Sequence, residues 1–317
     1  MAAPVVAGLE ELVPDGAVDM LIKAPFAGLG DMLEGVSETI WLPSDRGKRV
    51  ETRHYIERRG YSTVIILPNS FRSAWEMWQA GIPERIGYDG EFRRWLLTKA
   101  IPRPPKHSLS QKEYYSNIAQ SVYPEITIKP VSVRIPEDAA KKSETLLLVD
   151  AGKPVVGVGF GASYGDAKMW PAERFAALID RLSEIADVVL FGAASDAEAE
   201  RKVLSMTRSE PLSLVGKTDL PTLAACFNRL GLYITNDTGP MHLAAAAGAP
   251  VVAIFGPTSP DETRPEGGDV TVIYHDADCA PCWRRQCPTD HKCMESIKVN
   301  EVFDAACAAL RRGGRIR

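Results

Sequence analysis

The sequence predicts an α/β protein with two doubly wound domains, in which parallel strands alternate with helices. Short, continuous apolar runs such as residues 64–67 are typical of buried parallel strands, and helical patterns separate them. A chain of 317 residues also fits two domains of about 150 residues better than one. We expect the boundary near residue 150, after a polar connection marked by prolines, which gives domains of residues 1–150 and 151–317.

The composition excludes several classes of protein. Hydrophobic residues make up 45% of the chain and charged residues 25%, which is typical of a soluble globular protein. No run approaches the roughly 20 apolar residues of a membrane span, and no secretory signal follows Met1, so the expected location is the cytoplasm. The net charge of −4 excludes a dominantly nucleic-acid-binding surface.

The first half of the chain alternates helical and strand patterns from its start. The patterns predict helices at residues 4–13, around 29–33 and about 50–60, and strands at 18–22, 39–42 and 64–67. A doubly wound domain usually opens with a strand, whereas this chain opens with a helix. The first domain is therefore expected to depart from the usual order at its beginning.

Polar residues follow the buried strand at 64–67. Asn69, Ser70 and Arg72 come directly after it, where open α/β sheets bind ligands. A basic stretch begins here and contains Arg72, Arg85, Arg93, Arg94, Lys99, Arg103 and Lys106. This stretch is either a solvated surface or a region that attracts an anionic ligand, for which arginine is well suited.

Two familiar motifs overlap after the strand predicted at 154–160, and neither has the required context. Residues 157–162 spell the dinucleotide-binding G-x-G-x-x-A, and residues 161–165 spell the G-x-S-x-G of α/β-hydrolases. Both motifs need a helix to begin within them, but the next helix start signal is Pro171. Residues 161–169 therefore read as a loop, with Lys168 near its end.

Residues 233–260 read as one βαβ unit of a parallel sheet. Asn236, Asp237 and Thr238 are good N-cap residues, and Pro240 suits the first helical position. The helix that begins here would direct its first-turn N–H groups beyond the carboxyl end of a strand, where a phosphate is stabilised. His242 lies within that first turn.

The segment Asp237-Thr238-Gly239-x-x-His242, followed by Phe-Gly-Pro-Thr at 255–258, resembles the nucleotide-sugar signature of glycosyltransferase family 9, the bacterial heptosyltransferases. The loop at 161–175 resembles the family's second signature. The resemblance implies B-type glycosyltransferase architecture, with two facing Rossmann-like domains and the active site in the cleft. It implies donor contacts from Gly161, Lys168, Asp237, Thr238, Gly239 and His242, with the lysine on the diphosphate. Acceptor contacts are implied for Asn69, Ser70, Arg72 and Arg85.

The resemblance also implies an activity. Family members transfer L-glycero-D-manno-heptose from ADP-heptose to the inner core of lipopolysaccharide, with inversion. The expected partners are thus ADP-heptose and the lipopolysaccharide acceptor, with no nucleic acid, cofactor or metal. A cytoplasmic monomer is expected, and such an acceptor is compatible with peripheral contact at the inner face of the cytoplasmic membrane.

The match departs from the family pattern at the start of the chain. In the family, the first strand leads to a Gly-Asp turn whose aspartate is the expected base, and the match begins just after that turn. Gly30-Asp31 falls instead in the region of the second strand and its helix, so Asp31 reads as a surface residue. The base stays unassigned, as expected if the true start lies upstream of this sequence, and two alternative functions remain. One is a nucleotide-sugar-binding protein without turnover, and the other is a hydrolase that uses Ser163.

Four of the six cysteines lie within fifteen residues, at Cys279, Cys282, Cys287 and Cys293, with His291 among them. The surrounding segment resembles one found in many lipopolysaccharide heptosyltransferase II sequences. Its spacing is compatible with a structural zinc site and with free or locally paired thiols. An amphipathic helix at residues 299–312 is predicted to close the chain.

Overall fold

The computed structural model describes residues 1–13, 16–147, 152–161 and 165–316, and the chain forms two compact units, Met1–Pro130 and Val131–Arg317. The sequence placed the domain boundary near residue 150, which lies outside the described residues. The helix before it, Glu137–Leu146, packs against the helix Leu220–Asn228. Residues 131–147 therefore belong to the second unit.

In the first unit, every strand pair is parallel. Its elements, in chain order, are α1 Ala3–Leu12, β1 Met20–Lys23, α2 Ala27–Gly30, β2 Thr39–Leu42, α3 Arg46–Arg59, β3 Thr63–Ile66, α4 Phe71–Gln79, β4 Glu84–Tyr88, β5 Lys99–Ile101 and α5 Gln111–Gln120. Strands β1 and β2 pair with each other, and β3, β4 and β5 form a second sheet in that order. The predicted opening helix and the strand at 39–42 are confirmed.

The second unit is built on one parallel sheet of six strands. Its elements are α6 Glu137–Leu146, β6 Val155–Gly159, α7 Ala172–Ser183, β7 Asp187–Phe191, α8 Ala197–Leu204, β8 Leu212–Ser213, α9 Leu220–Asn228, β9 Leu232–Asn236, α10 Gly239–Ala246, β10 Val251–Ile254, α11 Pro260–Thr263, β11 Val270–Ile273, α12 Lys292–Ser296 and α13 Val299–Arg312. The last of these confirms the predicted closing helix.

The strand order in this sheet is β11-β10-β9-β6-β7-β8. The chain runs outward from β6 to β7 and β8, then returns to the other side of β6 and continues through β9, β10 and β11. The strand order therefore reverses between β6 and β9, which is the place where doubly wound sheets bind ligands. The predicted doubly wound fold is confirmed.

The sequence also predicts a short strand at residues 214–218, and strand β8 differs from that prediction. The structure has Leu212–Ser213 as the strand, and the following residues turn away from the sheet. Gly216 adopts a φ of 69°, a left-handed conformation that glycine tolerates and that an extended strand does not contain. The predicted strand is therefore wrong at these residues, because the turn at Gly216 lies where the strand was expected.

The glycines of strand β6 make room for an aromatic ring. A Cβ atom on Gly159 would lie 2.1 Å from the hydroxyl oxygen of Tyr233, and one on Gly157 would lie 2.9 Å from the ring. Tyr233 in turn packs on Phe227, with ring centroids 4.4 Å apart. Close packing therefore accounts for the G-x-G spacing, and helix α7 begins only at Ala172. Among the residues that the structure describes, every helix is too short or too polar to span a membrane.

Candidate functional site

The loops that follow β6 and β9 meet where the strand order reverses. Strand β6 lies beside β9, with Gly159 opposite Thr235, so the chain leaves both strands at the same edge. Lys168 ends a 3-10 turn in the first loop, and Asp237 directly follows β9. The ammonium of Lys168 donates a hydrogen bond to Oδ2 of Asp237, although 69 residues separate them. Their side chains are only 9% and 5% exposed.

Two hydroxyl groups of residues that follow β10 also donate hydrogen bonds to Asp237. Oγ1 of Thr258 donates to Oδ2 of Asp237 at 2.6 Å, and Oγ1 of Thr263 donates to the same atom at 3.4 Å. A buried carboxylate is stable only when it is paired and hydrogen-bonded, and these donors meet that condition. The sequence offered Asp237 either as a capping residue or as a contact to a sugar hydroxyl of the donor. Thr238 is the N-cap residue instead, and the carboxylate of Asp237 holds Lys168 and joins three loops of the sheet edge.

Helix α10 begins at the predicted position. Thr238 is its N-cap residue, and its side chain makes no capping hydrogen bond. Gly239 is exposed, and a Cβ atom placed on it would meet nothing within 4 Å. The helix thus presents its positive end and first-turn N–H groups beside the Lys168–Asp237 pair, an arrangement that stabilises a bound anion.

His242 lies in the first turn of α10 and is partly buried. Burial is the main cause that lowers the pKa of its imidazole to about 4. The ring is therefore neutral at pH 7 and can take part in hydrogen bonding without adding a charge.

Asn236 fixes the loop after β6. Its side chain is buried, its Nδ2 donates to the carbonyl of Phe160 at 3.1 Å, and its Oδ1 accepts the N–H of Trp170 at 3.2 Å. The sequence suggested this residue as a helix cap, but as the last residue of β9 it bridges to the neighbouring loop. Trp170 extends the connection, because its indole N–H donates to the carbonyl of Ile297 at 3.1 Å.

Gly161 lies beside an acidic residue that the sequence reasoning missed. A Cβ atom on Gly161 would lie 2.6 Å from Oδ2 of Asp196, which accepts the N–H of Ala193 at 2.8 Å. Asp196 follows β7, so it shares the sheet edge with the other residues of the site. The sequence feature that could have identified Asp196 is its position a few residues after the end of a strand.

The cysteine segment rests on two of these loops. The N–H groups of Cys282 and Trp283 donate to the carbonyl of Pro257, at 2.9 and 2.8 Å. The carbonyl of Arg285 accepts the N–H of Ala167 at 3.2 Å, next to Gly165, whose φ is 146°. The segment thus supports the loop that contains Lys168.

All six cysteines are free thiols, and burial raises the pKa of Cys293. Within residues 1–13, 16–147, 152–161 and 165–316, no group of three or more His, Cys, Asp or Glu side chains is placed to hold a metal ion.

Three of the four expected acceptor residues come together after β3. The amide of Asn69 donates to the hydroxyl of Tyr114 at 2.8 Å, Ser70 caps helix α4 by accepting the N–H of Ser73 at 3.3 Å, and Arg72 is exposed in the first turn.

The fourth, Arg85, lies near the amino end of β4, and the amino ends of parallel strands form the opposite edge of a sheet. Its guanidinium donates to the carbonyls of Leu96 and Pro83, at 2.7 and 3.2 Å, and to that of Ile82. The structure does not bring Arg85 to the other three residues.

Arg93 connects the loops at this edge of the first unit. The sequence alone placed it only within the basic stretch. Its side chain is fully buried. The guanidinium donates to the carbonyl of Tyr88 at 2.8 and 3.0 Å and to the carbonyl of Pro68, and it reaches Oδ1 of Asn69 at 3.5 Å. Burial lowers the pKa of Arg93. A basic side chain in a polar stretch gave no sign of this internal role.

Two further residues, Asp31 and Ser163, carry the remaining interpretations of the sequence. Asp31 directly follows helix α2 and is exposed, in agreement with its interpretation as a surface residue. Ser163, on which the hydrolase alternative depends, lies outside the described residues.

Comparison with known proteins gives one consistent family. The model of glycosyltransferase family 9 (heptosyltransferase) matches residues 49–293. The chain is 31% identical over 284 residues to lipopolysaccharide heptosyltransferase 2 of Escherichia coli strain K12, which covers 84% of this chain and 81% of the relative. It is 32% identical over 282 residues to lipopolysaccharide heptosyltransferase 2 of Salmonella typhimurium, with the same coverage of 84% and 81%. The solved structure of E. coli ADP-heptose lps heptosyltransferase II matches with a TM-score of 0.83 and 28% identity, over 99% of this chain and 95% of that one.

Proposed function

This chain belongs to glycosyltransferase family 9, the heptosyltransferases, and we propose that it transfers L-glycero-D-manno-heptose from ADP-heptose to the inner core of lipopolysaccharide. The names of relatives at 31% and 32% identity support the sugar and the pathway. The observation that supports donor binding most directly is the Lys168–Asp237 pair at the amino end of helix α10.

In this proposal the donor diphosphate binds at the start of α10. The N–H groups near Thr238 and Gly239 and the ammonium of Lys168 offset the negative charge that develops on ADP as it leaves. An ammonium group has three N–H donors, so Lys168 can bind a phosphate oxygen while Asp237 holds it in position. Asp237 would repel a diphosphate, which supports a positioning role for this residue.

The remaining donor residues act without charge. His242, neutral at pH 7, can hydrogen-bond to a phosphate oxygen or a sugar hydroxyl. Gly161 contributes backbone only, which allows close approach of a ligand beside Asp196.

The acceptor is proposed to bind at Asn69, Ser70 and Arg72 of the first unit. A guanidinium group pairs well with carboxylate and phosphate, and an inner-core acceptor carries such groups. An acceptor hydroxyl loses its proton to a base and attacks the anomeric carbon in a single displacement as ADP departs, so the configuration at that carbon inverts. We place the reaction in the cytoplasm, catalysed by a monomer in peripheral contact with the inner face of the cytoplasmic membrane.

The test is a transfer assay with the purified chain, ADP-heptose and a heptose-deficient inner-core acceptor. We expect the acceptor mass to increase by one heptose, release of ADP, and an inverted anomeric centre in the product by NMR. Transfer should persist in excess EDTA, because Lys168 and the helix end offset the diphosphate charge without a metal.

Two results would contradict parts of the proposal. Binding of ADP-heptose without transfer would make this a nucleotide-sugar-binding protein. A chain that fails to bind ADP-heptose would remove the donor site from the α10 region.

A further inference from the structure

The first unit carries a cluster of aromatic side chains on its surface. Phe71, Trp75 and Trp78 lie on helix α4, and Trp95 lies in the 3-10 turn Arg94–Leu96. The ring centroids of Trp75 and Trp78 are 4.9 Å apart, and the ring of Trp95 lies 6.1 to 6.3 Å from those of Phe71, Trp75 and Trp78. We call these four residues the aromatic patch.

The core of the unit accounts for only one ring of this patch, that of Trp75, which is partly buried against the core. Helix α4 buries Ala74 and Met77, which lie on its inward side. Phe71 and Trp78 are exposed, and Trp95 is 61% exposed. Single apolar residues on a surface are ordinary, but contiguous aromatic groups mark an interaction site.

The turn beside the patch displays one more aromatic ring. Phe92, three residues before Trp95, is 94% exposed. Glu91 and Phe92 adopt φ values of 52° and 55°, left-handed conformations that bulky residues rarely adopt. Buried Arg93 follows directly and anchors this turn to the loop after β3. Strained backbone that displays an apolar side chain to solvent is typical of a functional surface.

Cations lie beside several of these aromatic residues. Residues 45–113 contain fourteen Lys and Arg and eight Asp and Glu, a net charge of +6, and one of these cations, Arg93, is buried. Arg72 follows Phe71, and Arg53 of helix α3 donates to the side chain of Gln79 beside Trp78 at 2.9 Å, whereas Arg94 beside Trp95 is paired with Asp89.

The acidic residues near the patch are mostly paired. Glu76 bonds to Arg49 at 2.7 Å, and Asp89 bonds to Arg94 at the same distance, while Glu91 is exposed. Tryptophan with nearby Lys and Arg is the composition that favours the interface of an anionic bilayer.

We propose that the aromatic patch and Phe92 insert into the surface of an anionic lipid bilayer. Asn69, Ser70 and Arg72 lie at or just before the start of α4, so insertion would bring these residues to the headgroup layer. The proposal rests on the proposed function for the identity of the acceptor, a glycolipid held in that layer. The membrane contact itself depends only on the patch and its charges.

The first test is co-sedimentation of the full chain with vesicles of phosphatidylcholine, alone or mixed with phosphatidylglycerol. We expect binding to the anionic vesicles, and at least about a ten-fold weaker partition for the double variant Phe92→Ser, Trp95→Ser, since each ring loses its burial in lipid. Phe92→Ser alone should lower binding less, and it cannot disturb the core because the side chain is solvent-exposed. Met206→Ala, which alters an exposed apolar residue of the second unit, is the control and should bind as the wild type does.

The second test compares two acceptors. The double variant should transfer heptose to a delipidated, soluble acceptor at the wild-type rate and lose transfer to the same acceptor embedded in anionic vesicles. If neither the wild type nor the double variant transfers heptose but vesicle binding follows the expected pattern, the proposed function is wrong. The proposal that the patch binds a membrane is then still supported.

Four results would overturn the membrane proposal. The first is that the wild type does not bind vesicles, and the second is that the double variant binds them as well as the Met206→Ala control does. The third is that the double variant loses transfer to the soluble acceptor. The fourth is that the wild type forms dimers without lipid and the double variant does not. The third result would make the patch a saccharide site, and the fourth would make it a contact between copies of this chain.

Discussion

Two edges of parallel strands, one in each unit, are organised around a buried cation, and the two cations are stabilised by different partners. In the second unit, Lys168 pairs with the carboxylate of Asp237. In the first unit, the guanidinium of Arg93 donates to neutral oxygens of Pro68, Asn69, Ser70, Ser73 and Tyr88.

The difference separates a structural cation from a chemical one. A guanidinium stays charged at every relevant pH and directs its donors in a fixed plane, so Arg93 shapes the loop after β3 through many bonds at once. An ammonium on a flexible stem can exchange partners, so Lys168 can respond to the charge of a ligand. At the first edge the buried cation thus fixes the shape of a loop, and at the second edge it can interact with the charge of a ligand.

The largest effect is expected for Arg93→Met. The substitution leaves several buried carbonyl groups unpaired and should lower the free energy of unfolding by about 3–5 kcal/mol, measured by urea denaturation. Arg94→Met is the matched control, because the neighbouring side chain is exposed and its ion pair with Asp89 contributes about 0–1 kcal/mol. Similar losses for both variants would show that Arg93 is not the structural cation.

Lys168→Ala should weaken the binding of ADP-heptose by about 10- to 100-fold, the loss of one charge-assisted hydrogen bond. Isothermal titration calorimetry measures this change directly. Lys202→Ala removes an exposed lysine of helix α8 in the same unit and should leave the affinity unchanged. Wild-type affinity in Lys168→Ala would show that Lys168 does not bind the donor. The proposed difference between a structural Arg93 and a ligand-binding Lys168 would then be wrong.

Gly165→Ala probes the support beneath Lys168. The added Cβ would lie 2.1 Å from the carbonyl oxygen of Arg285, at a φ of 146°. We expect a loss of about 2 kcal/mol in urea denaturation, since both the contact and the backbone become strained. Gly152→Ala, where a Cβ meets nothing within 4 Å, should change stability by less than about 0.5 kcal/mol. An equally small effect at Gly165 would mean that the cysteine segment does not hold the loop.

The smallest effect concerns pH. Burial lowers the pKa of His242 to about 4 in the folded chain, below the value of about 6.5 for an exposed histidine. Below pH 6.5 the unfolded chain binds a proton that the folded chain does not, so stability falls between pH 6.5 and 4, by about 1 kcal/mol at pH 5 for a partly exposed ring. His242→Gln should lose this part of the acid sensitivity, measured as the difference in Tm between pH 7 and pH 5. An unchanged difference would contradict the lowered pKa.

Much of the fold could be predicted because local patterns decide it. The βαβ unit from β9 to β10, the start of α10 and the helix Val299–Arg312 follow from apolar periodicity and from Pro and Gly at element ends. The end of β8 could not be predicted, because packing in the folded chain sets the left-handed φ of Gly216. The capping role that the sequence suggested for Asn236 and Asp237 was wrong for a related reason. Both residue types are good helix caps, and only their neighbours in space determine which bond forms.

The sequence by itself determined the doubly wound fold, the family resemblance and the identity of Lys168, Asp237 and His242 as a candidate group. These features lie in short segments, where spacing and residue type are sufficient. The tertiary structure alone decided that Lys168 and Asp237 form a pair, that Arg93 is internal and that Arg85 lies away from the other acceptor residues. The physical reason is strand order, since residues far apart in the chain become neighbours only when adjacent parallel strands deliver their loops to one edge of the sheet.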